Sequence, residues 1–244
     1  MEWTDQGIVL SARPHGESAA VVVLMTREHG RHAGLVHGGQ SARRQADLET
    51  GTEVRVVWRG RGADSLGTWA LEPVRHYAAG FLADSLRLAA VVSACSLVDV
   101  GMPEREPHPA VFDGLLALFS ALEGQAWDAA CILWEMALLR EMGFGLDLER
   151  CALTGQKDDL AWVSPRTGRA VSRSAGEAWQ GRLLPLPGFL GGRAELDRAD
   201  IIQGLELTGY FLERHALASR DIPLPPARSR LFELCSGRSG AGTV

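Results

Sequence analysis

The 244-residue sequence carries 25 basic and 30 acidic side chains, and hydrophobic residues make up 46% of it. That apolar fraction is ordinary for a globular protein, so disorder is not the default expectation. The net charge of −5 argues against a protein that simply coats nucleic acid. The sequence has no uncharged apolar run of about 18 residues and no signal-peptide pattern at its start. We therefore expect a cytoplasmic protein without a membrane anchor.

Charge is unevenly spread along the chain. Residues 76–150 carry 4 basic and 11 acidic side chains, whereas residues 27–61 carry 7 basic against 4 acidic. The basic stretch also contains His29, His32 and His37. Because the arginine fork matches phosphate oxygens, this pattern predicts a phosphate-binding patch on a mildly acidic protein.

Two strands joined by a tight turn dominate the N-terminal region. The apolar run 19–25 predicts a strand buried on both faces. Gly30 supplies the positive φ that a hairpin turn at residues 28–30 needs. The third strand leads into a glycine-rich loop that bears Arg43 and Arg44.

Three further strands complete this region. Residues 7–10 predict a first strand, followed by a loop over residues 13–18. Residues 52–59 alternate with Trp58 on the core face, and residues 67–72 predict a fifth strand that ends before Pro73. Five short strands fit a small barrel of the OB type, and an SH3-like barrel fits the spacing nearly as well.

Helical periodicity begins near Phe81. Apolar spacing predicts helices that end at Gly101, that begin after Pro109, and that span residues 125–142. Residues 151–193 lack this period, and a small hairpin is predicted from strands 160–164 and 170–172. Two more helices are predicted, one from Ala194 or Asp197 and one over residues 227–235.

The sequence contains no recognisable catalytic motif. The four cysteines form no CxxC pair, which predicts buried, reduced thiols. His29, His32 and His37 lack carboxylate or thiolate neighbours at ligand spacing, so we interpret them as solvated or phosphate-facing imidazoles. A nuclease is the least favoured hypothesis because no carboxylate cluster is placed to hold Mg²⁺.

DNA binding is the function that these parts favour. OB-type barrels hold single strands with cationic side chains along the backbone and aromatic rings beneath the bases. Trp58 is assigned to the core, Trp69 is ambiguous and Trp3 lies near the chain end, so we expect electrostatic more than stacking recognition. The cations available are Arg31, His32, His37, Arg43, Arg44, Arg55, Arg59 and Arg61. The alternative is a protein-docking adaptor whose barrel binds partner proteins rather than DNA.

Several segments resemble the bacterial recombination mediator family RecO, in the same order and over nearly the whole chain. They are HGES (15–18), LMTREHG (24–30), GGQS (38–41), LGTWALEP (66–73), EMGFGLDL (141–148) and YFLERH (210–215). The resemblance implies an α+β protein with a five-stranded OB-fold barrel at residues 1–78 and an α-helical domain at residues 79–235. It also implies a small zinc-ribbon-like insertion at residues 147–193, and we expect a flexible tail at residues 236–244.

The resemblance implies a function without catalysis or a cofactor. Such proteins bind single- and double-stranded DNA, anneal complementary strands and work with RecR. They contact the C-terminal tail of single-strand-binding protein and so help to load RecA, which implies a nucleoid-associated protein in the cytoplasm and no membrane contact. The implied DNA-binding residues are Arg27, Arg31, His37, Arg43, Arg44, Arg59 and Arg61.

The insertion departs from the family pattern. Many members carry two CxxC pairs there, whereas this chain keeps only Cys151 of the first pair and has residues 172–175 (SRSA) in place of the second. A thiolate-closed zinc site cannot be built from one cysteine. We therefore predict no zinc and an insertion held by packing and hydrogen bonds.

Overall fold

The computed structural model describes residues 1–62, 65–192 and 196–237. The chain divides into two compact units: Met1–Glu123 with Pro225–Leu231, and Gly124–Leu224 with Phe232–Val244. The domain boundary at residue 78 stays a prediction, and the predicted tail lies outside the described residues from 238 onward. No helix in the described ranges has the length and apolar character needed to cross a membrane.

Five strands of the first unit form a closed barrel. They are β1 (Glu2–His15), β2 (Ala19–Thr26), β3 (Gly30–Val36), β4 (Thr52–Arg59) and β5 (Thr68–His76). Their order around the barrel is β1-β2-β3-β5-β4. All pairs are antiparallel except β3 and β5, which close the barrel through one parallel pair at Leu35 and Thr68.

Strand β1 belongs to both sides of the barrel. Its first half pairs with β4 and its second half with β2, and the register shifts between Val9 and Ser11. A bulge of this kind bends a strand and lets it turn a corner. The strand continues to His15 where a loop was predicted, because its last residues still pair with β2.

The alternation predicted for β4 is confirmed, with Val54, Val56 and Trp58 buried. The prediction that β2 is buried on both faces is wrong for its first half. There Ala20 and Val22 are buried while their neighbours are only half-buried, as expected for a strand with one face on a barrel core. Its last three residues, Leu24 to Thr26, are all buried.

Two other predictions in this unit need correction. Strand β5 runs through Pro73 to His76, because a register shift between Glu53 and Val54 of β4 accommodates the proline. The basic loop after β3 contains a short helix, α1 (Ala42–Asp47), rather than being irregular throughout. Leu48 directly after it is 4% exposed and joins the barrel core. Burial of this leucine explains why a glycine-rich segment becomes ordered.

Two helices follow the barrel in the first unit, α2 (Ser85–Gly101) and α3 (Pro109–Ala121). Asp84 caps α2 by accepting hydrogen bonds from the backbone N–H groups of Leu86 and Arg87, each at 3.1 Å. Pro109 occupies the first turn of α3, where its missing N–H costs nothing. Both helices were predicted, and the Asp84 cap explains why α2 begins at Ser85, four residues after the helical period starts at Phe81.

The second unit combines helices with a small sheet. Its elements are α4 (Trp127–Glu141), β6 (Leu160–Val163), β7 (Ala170–Ser172), α5 (Arg173–Gly176), β8 (Leu184–Pro185) and α6 (Arg198–Phe211). The predicted hairpin of β6 and β7 is confirmed, and β8 adds a strand that the sequence analysis missed. Helix α7 (Pro226–Ser236) lies near the C-terminus, and its residues up to Leu231 belong to the first unit. Ala194, one of two predicted starts for α6, lies outside the described residues, and Asp197 caps the helix.

Candidate nucleic-acid interface

The β2–β3 turn lies between Arg27 and Arg31, the first two predicted site residues in the sequence. Gly30 has a φ of 69°, and a Cβ atom there would lie 1.9 Å from the carbonyl oxygen of Glu106. Glycine is therefore required both for the turn and for the close approach of a second backbone segment. The Thr26 hydroxyl donates to the Gly30 carbonyl at 2.8 Å and closes the turn.

Arg31 is held by the protein itself. Its guanidinium donates to the carbonyl of Met102 at 3.0 Å and forms ion pairs with Asp99 at 3.4 Å and Glu104 at 3.1 Å. The side chain is only 17% exposed. Arg31 thus fastens the hairpin to the end of α2, and its DNA-binding role stays a prediction for a cation that is already neutralised.

Two other predicted arginines form more exposed pairs. Arg27 donates to both carboxylate oxygens of Asp113, at 3.1 and 2.9 Å, and this bond lowers the pKa of the Asp113 carboxyl. Arg59 contacts Glu2 at 3.0 Å. Exposed pairs of this kind contribute little to stability. The DNA-binding role of both arginines stays a prediction.

His37, Arg43 and Arg44 lie together in a concave surface that we call the α1 groove. Its volume is about 600 Å³, and its lining is His37, Gly38, Ser41, Arg43, Arg44, Asp47, Leu71, Glu72 and Pro73. Arg43 is exposed and has no ion pair within the described ranges, while Arg44 contacts Asp47 at 3.5 Å. The groove therefore gathers three of the seven predicted site residues.

A larger depression on the outer surface of the barrel, the β-face groove, shares Leu71 and Glu72 with the α1 groove. Its volume is about 700 Å³, and its lining also includes Thr4, Asp5, Gln6, Arg27, Glu28, Arg55, Val56, Val57 and Ala70. Arg55 is exposed here without an ion pair to any described residue. The two grooves together bring Arg27 and Arg55 into one surface with the α1 cations, interspersed with carboxylates.

The remaining site residue, Arg61, follows β4 and lines neither groove. It is exposed and unpaired among the residues that the structure describes. Sequence reasoning missed Arg13, an exposed arginine at the end of β1 beside Gln40 and Gln45. No local pattern marks Arg13, because its position near α1 depends on the whole barrel closing.

An aromatic cluster fills one part of the barrel. Trp3 stacks on His29 with ring centroids 3.8 Å apart, and His32 packs edge-on against Trp58 at 5.1 Å and Trp69 at 5.6 Å. His32 is 5% exposed, and neither ring nitrogen has a hydrogen-bond partner within the described ranges. Burial, aided by the positive charge of Arg105, lowers the pKa of His32 to about 4.

The interpretation of His32 as a solvated or phosphate-facing cation is therefore wrong. A neutral imidazole enclosed by tryptophan rings offers no positive charge to a phosphate at pH 7. His29 instead contacts the carboxylate of Asp5 at 2.8 Å, and His37 is exposed. His37 thus has the exposed position that the sequence analysis gave it, His29 is partly exposed, and His32 alone of the three is buried.

The buried His32 predicts that stability falls as the solution is acidified. The folded pKa of about 4 lies below the ordinary 6.5, so the unfolded chain takes up the proton first as the pH falls. Between about pH 7.5 and pH 5 this should remove about 2 kcal/mol of unfolding free energy. Urea unfolding of the parent and of His32→Phe at both pH values measures it. Equal pH dependence in the two proteins would contradict the assignment, since their carboxylates titrate alike.

The insertion in the second unit brings together three of the positions at which the family pattern has zinc ligands. Cys151 is 1% exposed; burial raises the pKa of its thiol, but hydrogen bonds from Ser172 and Thr154 lower it to about 6. One thiolate and two hydroxyls do not match the thiolate and imidazole ligands of structural zinc, so these residues do not fit the metal.

We expect purified, tag-free protein to contain no stoichiometric zinc, because a single cysteine cannot close a tetrahedral site. Elemental analysis of the protein checks this. Replacing Thr154, Ser172 and Ala175 together by cysteine provides a positive control, which should bind about one zinc per chain. One equivalent of zinc in the parent protein would contradict the prediction.

Known proteins match this chain over almost its whole length. Residues 1–77 match the family model for the N terminal of Recombination protein O, and residues 82–220 match the model for its C terminal. The DNA repair protein RecO of Rhodospirillum centenum is 58% identical over 235 residues, covering 96% of this chain and 94% of that protein. Its counterpart in Rhodospirillum rubrum is 47% identical over 241 residues, 96% of each chain.

These matches confirm the resemblance drawn from short segments. Both halves of the chain are matched in the correct order, and the curated relatives are covered nearly from end to end. The chain therefore belongs to the Recombination protein O family.

Proposed function

We propose that this protein is a recombination mediator in DNA repair that binds single- and double-stranded DNA through the first unit. The observation that carries the proposal is the set of exposed arginines on the barrel that lack an ion pair within the described ranges. They are Arg13, Arg43, Arg55 and Arg61. Guanidinium groups without a carboxylate partner are free to bind phosphate.

The barrel supports this assignment by its topology. A closed five-stranded barrel in the order β1-β2-β3-β5-β4 is consistent with an OB-fold, a scaffold often used for oligonucleotides. The mixed charge of the grooves suits reversible contact, because carboxylates such as Asp5, Glu28 and Glu72 limit the total attraction for DNA. A mediator that hands DNA to another protein needs such moderate binding.

The family relationship extends the proposal to partners. We propose that the protein anneals complementary strands, binds RecR and the C-terminal tail of single-strand-binding protein, and thereby helps to load RecA. The α-helical domain at residues 79–235 is proposed to provide the protein contacts. We also propose that the protein acts without catalysis, in the cytoplasm and at the nucleoid.

Salt dependence of single-strand binding tests the electrostatic part. If about four to six phosphates are contacted, log K should fall against log salt with a slope of about −3 to −4, because each contact releases condensed counterions. Fluorescence anisotropy with a labelled oligonucleotide at several salt concentrations gives the slope. An affinity that is independent of salt would remove the arginines from the mechanism.

The carboxylates in the β-face groove favour one alternative, a barrel that docks partner proteins. Asp5, Glu28 and Glu72 lie among its arginines, as in many protein interfaces. Annealing of complementary oligonucleotides coated with single-strand-binding protein, with and without that protein's tail, separates the two functions. An adaptor would anneal coated strands only when the tail is present, and it would not bind bare oligonucleotides. A DNA-binding mediator would bind bare oligonucleotides.

A further inference from the structure

The three tryptophans of the barrel pack against other residues of the barrel. Trp58 is 1% exposed and Trp69 is 5% exposed, and their indole N–H groups donate to the carbonyls of Leu66 and Val22, both at 3.2 Å. Trp3 is half-buried against His29. None of these three rings therefore offers an open face of the kind on which DNA bases stack.

The second unit carries a tryptophan with the opposite character. Trp179 is 54% exposed, in a 3₁₀ segment, Glu177–Arg182, that follows α5. It is the one aromatic side chain among the large hydrophobic residues that are exposed in the described ranges. Trp162 packs closely on Gly176 at the end of α5, where an added Cβ would lie 2.5 Å from its ring. Trp179 is therefore the more exposed of the two tryptophans in this region.

A cation accompanies the exposed ring. The guanidinium carbon of Arg182 lies over the Trp179 ring, 6.0 Å from its centroid and at the outer limit of a cation–π contact, so it packs only loosely against the ring. Arg182 is exposed and forms no ion pair within the residues described. Residues 151–182 carry 5 basic and 3 acidic side chains, so the surrounding segment does not repel DNA.

We propose that Trp179 and Arg182 form a base-stacking contact for single-stranded DNA in the second unit, separate from the arginines of the barrel. This inference rests on the proposed function and adds to it a contact that requires the bases. The indole ring binds a base by its face, and the guanidinium binds the adjacent phosphate. A partner protein could also use an exposed tryptophan, and the choice of DNA follows from the unpaired arginine beside it.

The test compares two strands of equal length, an oligothymidylate and a fully abasic strand, which carry the same phosphate charge. Each is titrated by anisotropy with the parent protein, Trp179→Ala, Trp179→Phe and Leu153→Ala. Stacking on an aromatic ring contributes roughly fivefold or more in affinity per base. We therefore expect Trp179→Ala to weaken oligothymidylate binding roughly fivefold and abasic binding hardly at all. Trp179→Phe should recover most of the loss.

Leu153→Ala is the matched control, because Leu153 is 69% exposed in the same unit and has no ring. It should leave both affinities unchanged. Unchanged oligothymidylate binding by Trp179→Ala, or an equal loss on both strands, would overturn the stacking contact while leaving barrel binding intact. A parent protein that binds neither strand would instead overturn the proposed function, and the stacking contact with it.

Discussion

Replacing Trp58 by alanine should lower the free energy of unfolding by about 3–5 kcal/mol, the cost typical of removing a large buried aromatic side chain. Trp58 is 1% exposed, packs against Trp3 and His32, and donates to the carbonyl of Leu66 at 3.2 Å. A Cβ atom at Gly67 would lie 2.4 Å from its ring, so backbone is built closely around the indole. Urea unfolding followed by circular dichroism measures the loss.

The matched control is Trp179→Ala, which removes the same side chain from a site that is 54% exposed. Because little apolar surface is uncovered there, it should cost less than about 0.5 kcal/mol. A Trp58→Ala variant as stable as this control would show that the cavity collapses without cost. That outcome would contradict the assignment of Trp58 to the centre of the barrel core.

Local sequence rules were sufficient for the hairpin and for β4. Gly30 could be predicted because positive φ is a property of the glycine itself, and the burial of Val54 and Val56 follows from the two-residue period of a strand. The helix α1 could not be predicted in this way. Its order depends on Leu48 reaching a core that forms only when distant strands meet.

The state of the basic side chains was equally hidden from local reasoning. Arg31 is neutralised by Asp99 and Glu104, which are 68 and 73 residues away in sequence. His32 becomes neutral because tryptophans from three strands surround it. A count of arginines and histidines therefore predicts where a basic patch lies along the chain, whereas tertiary contacts decide which members can still meet a phosphate.

Replacing both Arg43 and Arg44 by alanine should weaken single-strand binding roughly 10- to 100-fold at low salt and make the salt slope shallower by about 1.4. Both line the α1 groove; Arg43 is exposed without an ion pair in the described part of the chain, and Arg44 has only a partly exposed partner, Asp47, at 3.5 Å. For each guanidinium that is removed, one phosphate keeps its condensed counterions, so fewer ions are released on binding and the slope is shallower. Anisotropy titrations between about 50 and 200 mM salt measure both quantities.

Arg140→Ala with Arg150→Ala is the charge-matched control, since it removes two exposed arginines from the second unit. A general loss of attraction would weaken both double variants alike, because net charge changes equally. A specific phosphate contact predicts that only the α1 pair lowers the salt slope. Arg31→Ala is a third case. Losing the ion pairs to Asp99 and Glu104 should lower the free energy of unfolding and leave the salt slope nearly unchanged. If Arg31→Ala reduces the slope and the α1 pair does not, the DNA path runs along the hairpin, and the cations of the α1 groove are a solvated surface.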